Sequence, residues 1–302
     1  MPIAVIELDF DAVVRLEGAS VRVETLALAA VILVAVLVAA RIAGWTPEEG
    51  DDPGPFVHRP RLRRDDMLLV VLGAIPGAVI GGRIGHAMLH LDYYATRPEA
   101  LLDPAQGSLE LAAALAGAAL AGASVAHLLE GPIGRWFHVA TLPTLLALGL
   151  GKAATALGGV GQGGPSDLPW ATAYIGPGPW GSLSPATPSH PSQVYEALAT
   201  TGVLLVVMAI LAAGGFARRD GRAFLVAIGL WGIGRAVVAA TWRDAPVAGP
   251  LNAGQLIALG LAVIALGLAL VLPRLAAAVA RSSPGTNGPE PAWPDPATRP
   301  RF

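Results

Sequence analysis

Arg83, Lys152, Glu196 and Arg235 each stand inside a stretch that is otherwise apolar. A charge in such a stretch is costly in a bilayer, and by default it marks a function or a buried partner. Arg83 lies in IGGRIGHAML and Lys152 in ALGLGKAATALGG. Arg235 lies in LWGIGRAVVAATWRD, with Arg243 near the end of the same stretch. Glu196 belongs to SHPSQVYEAL, Ser189–Leu198, where His190, Gln193 and Tyr195 crowd together. Guanidinium forks match the oxygens of a phosphate, so this set fits a pocket for a phospholipid phosphate. The plain alternative is that each cation snorkels to water or pairs with Glu196. SHPSQVYEAL also reads as a helix start. Pro191 suits the first helical position, Ser189 or His190 the cap, and Gln193 a capping box. That reading leaves Glu196 needing a partner among Lys152, Arg235 and Arg243.

These residues must be positioned by membrane helices. The chain has 302 residues, 54% hydrophobic and only 14% charged. A soluble domain carries roughly 25% charged residues. A crossing needs about 20 mostly apolar residues. Seven candidate spans meet that length: 26–43, 67–91, 109–129, 137–157, 193–213, 223–241 and 253–271. The expected fold is all-α, a polytopic membrane protein of seven transmembrane helices. Arg41, Arg59, Arg61, Arg63 and Arg64 fill the first loop, Arg135 follows span three, and Arg218, Arg219 and Arg222 follow span five. The alternate loops are poor in Lys and Arg. Basic residues gather on the cytoplasmic side, so the count predicts the N-terminus outside and the C-terminus in the cytoplasm. That orientation puts Lys152, Glu196 and Arg243 toward the outer surface, and makes His190 the only histidine at the outer rim. The acidic, mixed N-terminus does not resemble a signal peptide, so the first span is expected to remain a helix.

The expected organisation is an outer segment at 1–25, a seven-helix unit at 26–272 and a disordered cytoplasmic tail at 273–302. The loop 158–190 is read as a folded outer cap. Trp170, Trp180 and Tyr174 are read there as anchors at the water–lipid boundary. Cysteine is absent, which excludes disulfides and protein thiolate chemistry. No His, Asp and Glu spacing resembles a metal site. GGVGQGG lacks the Lys-Ser or Lys-Thr of a nucleotide loop. No cofactor and no nucleic acid is expected.

In HPSQVYEAL the chain resembles the prolipoprotein diacylglyceryl transferases, whose motif His-Pro-Ser-Gln-Leu-Tyr-Glu-Ala opens a membrane helix. GGRIGHAMLH is similar to that family's Gly-Ala-Arg-Leu-Gly-Tyr, with His86 at the tyrosine. GGPSDLPWA is similar to Gly-Arg-Pro-Thr-x-Leu-Pro-Trp, and GRAVVAATWRDAP with NAGQLIALGL resembles the last two helices. The resemblance covers about residues 65–272 and brings the same seven-span topology. Departures from the family pattern are several. Lys152 stands for a signature arginine, Thr155 and Gly158 for asparagines, and Val160 for a glutamate. Ala112 falls near an expected histidine, and Ala239 replaces a glutamate four residues after Arg235.

The resemblance implies a bacterial cytoplasmic-membrane transferase. It would move the diacylglyceryl group of phosphatidylglycerol onto the lipobox cysteine thiol of preprolipoprotein signal peptides. His190 and Arg235 are the catalytic candidates, with His190 a base if its side chain turns inward. Arg83, Lys152, Gln193, Tyr195, Glu196 and Arg243 are the substrate-binding candidates. The alternative is a degenerate relative that binds lipid or lipoprotein without transfer.

Overall fold

A computed structural model describes residues 5–47, 63–103 and 109–282, with side chains as far as Arg274. Arg59, Arg61 and the tail beyond Ser282 lie outside the described residues. Among the described residues, seven helices are long and apolar enough to cross a membrane. They are α1 (Val23–Ala43), α2 (Arg64–Leu89), α4 (Leu111–Leu128), α5 (Ile133–Thr155), α6 (Ser192–Ala212), α7 (Arg222–Ala239) and α8 (Ala253–Ser282). A short α3 (Leu91–Thr96) follows α2. The chain is a mostly helical, multi-pass membrane protein. The expected tail boundary is corrected: α8 continues unbroken past residue 272 to Ser282.

The outer faces of the helices are apolar. On α1, Ile32, Leu33 and Leu37 are exposed, while Ala35, Ala39 and Ala43 form the packed stripe at a spacing of four. Leucines that face outward in this way are stable against lipid. The tightest packing joins α2 to α4. Gly73, Gly77, Gly81 and Gly85 repeat every fourth residue, so they share one face. A Cβ at Gly77 would lie 2.5 Å from the Gly117 carbonyl oxygen, and one at Gly81 2.5 Å from the Ala113 carbonyl oxygen. Only small residues permit backbones this close. Helix α7 is the central element, packed by α5, α6 and α8. Its Ala227 and Trp231 join Leu145 of α5 and Val207 of α6 in one buried cluster.

Alternation of direction puts the starts of α1, α4, α6 and α8 at one end, with the ends of α2, α5 and α7. A cap closes this end, built from residues 159–191 and the N-terminal segment. Strand β1 (Ile6–Leu8) pairs parallel with β4 (Thr172–Tyr174). Strands β2 (Val13–Leu16) and β3 (Ala19–Arg22) form a hairpin leading into α1. A second hairpin, β5 (Pro246–Ala248) and β6 (Leu251–Asn252), joins α7 to α8. The cap is sewn to the helix ends. Gly163 N–H donates to the His190 carbonyl at 2.8 Å, Gly164 N–H to that of Thr241 at 2.9 Å, and Gly181 N–H to that of Gly158 at 2.8 Å. The N-terminal segment is therefore part of the cap, a pairing invisible in a three-residue strand. Tyr174 is not a boundary anchor. It is 2% exposed, packs on Trp180, and donates its hydroxyl to the Ala156 carbonyl at 2.8 Å.

Candidate functional site

Beneath the cap, α6 turns Ser192, Gln193, Glu196, Ala197 and Thr200 inward. Glu196 is 2% exposed and its two oxygens are divided. Oε2 meets Lys152 Nζ of α5 at 3.0 Å. Oε1 accepts from Arg235 Nη1 of α7. Arg235 reaches a second carboxylate through Nη2, Glu110 Oε1, at 3.4 Å. Its guanidinium lies 4.8 Å from the Trp242 ring centroid and 5.5 Å from that of Trp231. Two aromatic faces thus hold the cation's plane, as favours a fixed guanidinium. Arg235 Nε is buried without a partner.

Glu110 was not singled out from the sequence. It caps α4: its Oε2 accepts from Ala113 N–H at 2.6 Å, and its own N–H donates to the Gly82 carbonyl at 2.9 Å. A carboxylate just before an apolar run is an N-cap signal, and that signal was available. What the sequence did not carry is the packing of α4 onto α2 and toward α7 that aims the other oxygen at Arg235. Lys152, Arg235, Glu110 and Glu196 thus make two cations and two carboxylates, balanced in charge.

The capping box at SHPSQVYEAL does not form. Pro191 is the residue before the helix, with no side-chain cap. Gln193 is 1% exposed and donates Nε2 to the Tyr174 hydroxyl at 2.9 Å. The amide is pulled into the cap floor, away from the helix backbone. Burial pushes the Tyr174 phenol above its ordinary value; the Gln193 bond works the other way, and Glu24 adds to the rise.

The other candidates are placed apart from the four-residue cluster. Arg83 donates Nε to the Leu101 carbonyl at 2.9 Å and Nη2 to that of Ala100 at 3.2 Å, and also bonds the Asp103 carbonyl. It holds the turn after α3 and is not bonded to Glu196 or Glu110. Arg243 donates Nε to the Gly163 carbonyl at 2.7 Å and Nη2 to Ser189 Oγ at 3.1 Å. Glu196 therefore takes Lys152 and Arg235 as partners, and Arg243 ties α7 to the cap. Tyr195 accepts from Trp170 Nε1 at 2.6 Å, and its ring centroid lies 6.1 Å from that of His190. His190 Nδ1 is buried without a partner. His190 is not the only histidine at this end. Because α2 runs toward the cap, His86 and His90 also stand there, with ring centroids 4.4 Å apart.

The positions that depart from the expected motifs are filled in other ways. Ala112 and Ala239 are buried. Thr155 donates its hydroxyl to the Lys152 carbonyl at 2.8 Å. Gly158 sits against Glu24 of α1, with no room for a larger residue.

An apolar cavity of about 460 Å³ lies between α1, α2, α4 and α5. Ala39, Val70, Ala118 and Trp136 line it, and it extends to Leu111 and Leu148. Those two residues are neighbours of Glu110 in sequence and of Lys152 one turn away. The cavity wall thus comes within one residue of Glu110 and one turn of Lys152, and none of the four charged side chains lines it. Among the described residues no group of His, Cys, Asp and Glu could hold a metal ion.

The profile of the family described as prolipoprotein diacylglyceryl transferase matches residues 12–271. Three bacterial relatives carry the name phosphatidylglycerol–prolipoprotein diacylglyceryl transferase. The chain is 29% identical to that of Geobacter sulfurreducens over 202 residues, 65% of this chain and 74% of the relative. It is 25% identical to that of Clostridioides difficile over 198 residues, 66% and 75% of the two. It is 32% identical to that of Nitratidesulfovibrio vulgaris over 168 residues, 54% and 52%.

Proposed function

The chain belongs to the prolipoprotein diacylglyceryl transferase family, and on that premise we propose that it transfers a diacylglyceryl group from phosphatidylglycerol to a prolipoprotein cysteine. The cysteine thiolate attacks the glyceryl carbon, a thioether forms, the carbon–oxygen bond to phosphate breaks, and glycerol phosphate leaves with the electron pair. A negative charge grows on the phosphate oxygen in that step, and fixed cations lower its cost.

The observation that carries this reading is the buried convergence of Lys152 and Arg235 on Glu196, beside an apolar cavity. In this assignment Arg235 and Lys152 hold the phosphate, and Glu196 and Glu110 fix the guanidinium. The cavity takes an acyl chain, as apolar pockets with few polar groups do. His190, whose Nδ1 has no hydrogen-bond partner, is the candidate to accept the thiol proton. Arg83 and Arg243 shape the site through the backbone they hold. The cap would lie on the outer face of a bacterial cytoplasmic membrane, receiving signal peptides. The basic residues Arg41, Arg63, Arg64, Arg135 and Arg222 at the opposite helix ends favour that orientation.

A second reading is a relative that binds lipid without transfer. It is favoured by Ala112 and Ala239 at positions where the family motif carries acid–base groups, and by the use of both cluster cations in ion pairs. One experiment separates the two. A bacterial host depleted of its own transferase is supplied with this chain, and lipid attachment to a prolipoprotein is followed by mass. Transfer supports the enzyme. An unmodified substrate with the protein in the membrane supports the binder.

A further inference from the structure

The cavity between α1, α2, α4 and α5 is longer than one lipid leaflet is deep. On α5 its wall runs from Ile133, in the first turn, to Leu148. That is about 22 Å along the helix axis. Half of a bilayer's hydrocarbon is about 15 Å. A chain that enters from the cap side therefore leaves the far part of the cavity unfilled. Ala39, Met67, Ala126 and Trp136 wall that far part, at the end away from the cap. The cavity reaches surrounding lipid as well. Ile32 lines it and is 58% exposed, and Ile133, at the far end, is also exposed.

Cations stand at this end. Arg41 lies in the last turn of α1, and Arg63 and Arg64 open α2; all three are exposed. A Cβ at Gly44 would lie 2.7 Å from Arg64 Nε, so this side chain lies across the end of α1. Met67, one turn beyond Arg64 on the same face of α2, lines the cavity. The Arg41 guanidinium is 4.7 Å from the ring centroid of Trp45, which is exposed. An exposed tryptophan at the end of a span marks the headgroup level. Among the described residues no carboxylate pairs with Arg41, Arg63 or Arg64. Asp65 and Asp66, in the first turn of α2, suit the helix N-terminus instead. Basic residues collect at one side of a membrane by topology and need no ligand for that. Topology does not require an open apolar cavity beside them.

We propose that the far part of this cavity holds one acyl chain of an anionic phospholipid from the leaflet away from the cap, with its phosphate between Arg41, Arg63 and Arg64. Basic pockets between spans hold anionic headgroups in this way. The site goes beyond the proposed transfer, because this lipid is not the donor. Arg235 stands about 20 Å along α7 from the helix start at that end, too far to share its phosphate. The bound chain fills space between α1 and α2 that the protein's own side chains leave open.

The test counts lipids bound to the full chain by native mass spectrometry, from micelles that contain phosphatidylglycerol or phosphatidylcholine. Phosphatidylglycerol should be retained in preference to phosphatidylcholine. The double variant Arg63→Gln/Arg64→Gln should lose one bound phosphatidylglycerol, with affinity falling about fivefold for each arginine removed. Ala123→Leu, which narrows the far part of the cavity, should lose the same lipid. An unchanged count in the arginine variant, or equal retention of the two lipids, would overturn the proposal. So would loss of all bound lipid in Arg235→Gln, which would make the lipid in the cavity the donor itself. Retention by Ala123→Leu would show that the phosphate binds without the chain, and would overturn the placement in the cavity. If no transfer occurs and the unaltered chain holds a single phosphatidylglycerol, Arg235→Gln should keep it and the arginine variant should lose it; the transfer reading then fails and this one stands.

Discussion

Neutralising Glu196 tests how the charged cluster is held. Its carboxylate is divided between Lys152 Nζ at 3.0 Å and Arg235 Nη1, and it is 2% exposed. In Glu196→Gln, Lys152 keeps no carboxylate from this pair, and Arg235 keeps only Glu110 at 3.4 Å. Removing one partner of a buried ion pair costs about 3–5 kcal/mol. One fact lowers the figure here. The glutamine oxygen still accepts one hydrogen bond from the cations that faced the carboxylate. The expected loss is about 2–3 kcal/mol, or roughly 5–10 °C in thermal midpoint for a chain of this size.

The companion change is Lys152→Met, which removes the stranded charge and keeps the length of the side chain. If the pair is coupled, the double variant is more stable than the sum of the single losses allows, by about 1–3 kcal/mol. Thermal unfolding of the four proteins in one detergent gives this cycle. Strict additivity would refute the reasoning, because it would mean that Glu196 and Lys152 do not depend on one another. Transfer, measured on the same four samples, separates structure from chemistry. The double variant should regain stability and still fail to transfer, since Lys152 is assigned to the phosphate. Full transfer by the double variant would reduce Lys152 to a structural cation.

Arg235→Lys keeps the charge and loses the fork, so transfer should fall tenfold or more with unchanged membrane levels; full activity would remove the phosphate assignment. Gly77→Val should leave no monodisperse protein, because a Cβ there already meets the Gly117 carbonyl at 2.5 Å, whereas Gly260→Ala, with nothing within 4 Å, should be neutral or gain up to about 1 kcal/mol. The Tyr174 phenol, raised by burial, adds stability that is complete below the unfolded value near pH 10 and is lost as pH rises through the folded one. Difference absorbance against Tyr174→Phe should show this residue ionising above the ordinary phenol value; ionisation at that value would contradict its burial.

The spans were legible because apolar length is a strong signal, and all seven fall within a few residues of their expected limits, apart from the end of α8. The need for a partner at Glu196 was legible too, since a carboxylate one turn inside a span has few options. Its choice of Lys152 and Arg235 over Arg243 was not. Arg243 sits just past α7, and the carbonyl of Gly163 that captures it belongs to a loop without periodicity. Arg83 misled for a related reason. Its depth in α2 is real, but the turn at Ala100 and Leu101 folds back to offer carbonyls that no pattern announces. The reading of Gln193 as a capping residue failed because tertiary contact outbid local geometry: Tyr174, nineteen residues upstream, takes the amide.

The exchange of carboxylates around Arg235 leads to the last prediction. The glutamate expected four residues on is Ala239, and the guanidinium takes its second carboxylate from Glu110 on another helix. A phosphodiester arriving at a balanced cluster gains little unless one carboxylate yields. Glu196 is bound on both oxygens, so moving it strands Lys152. Glu110 holds Arg235 by the longer contact, 3.4 Å, and keeps the Ala113 N–H at 2.6 Å when it lets go. It is the group that a phosphate displaces at least cost. Glu110→Gln removes that competition. The variant should bind phosphatidylglycerol about threefold to tenfold more tightly, equivalent to about 0.7–1.4 kcal/mol. It should also melt earlier, having lost a charged helix cap worth about 1 kcal/mol. Lipid binding in micelles and thermal unfolding read the two effects separately. Weaker binding with an unchanged melting point would mean that Glu110 helps to hold the lipid, and the order of displacement argued from the two contacts would be wrong.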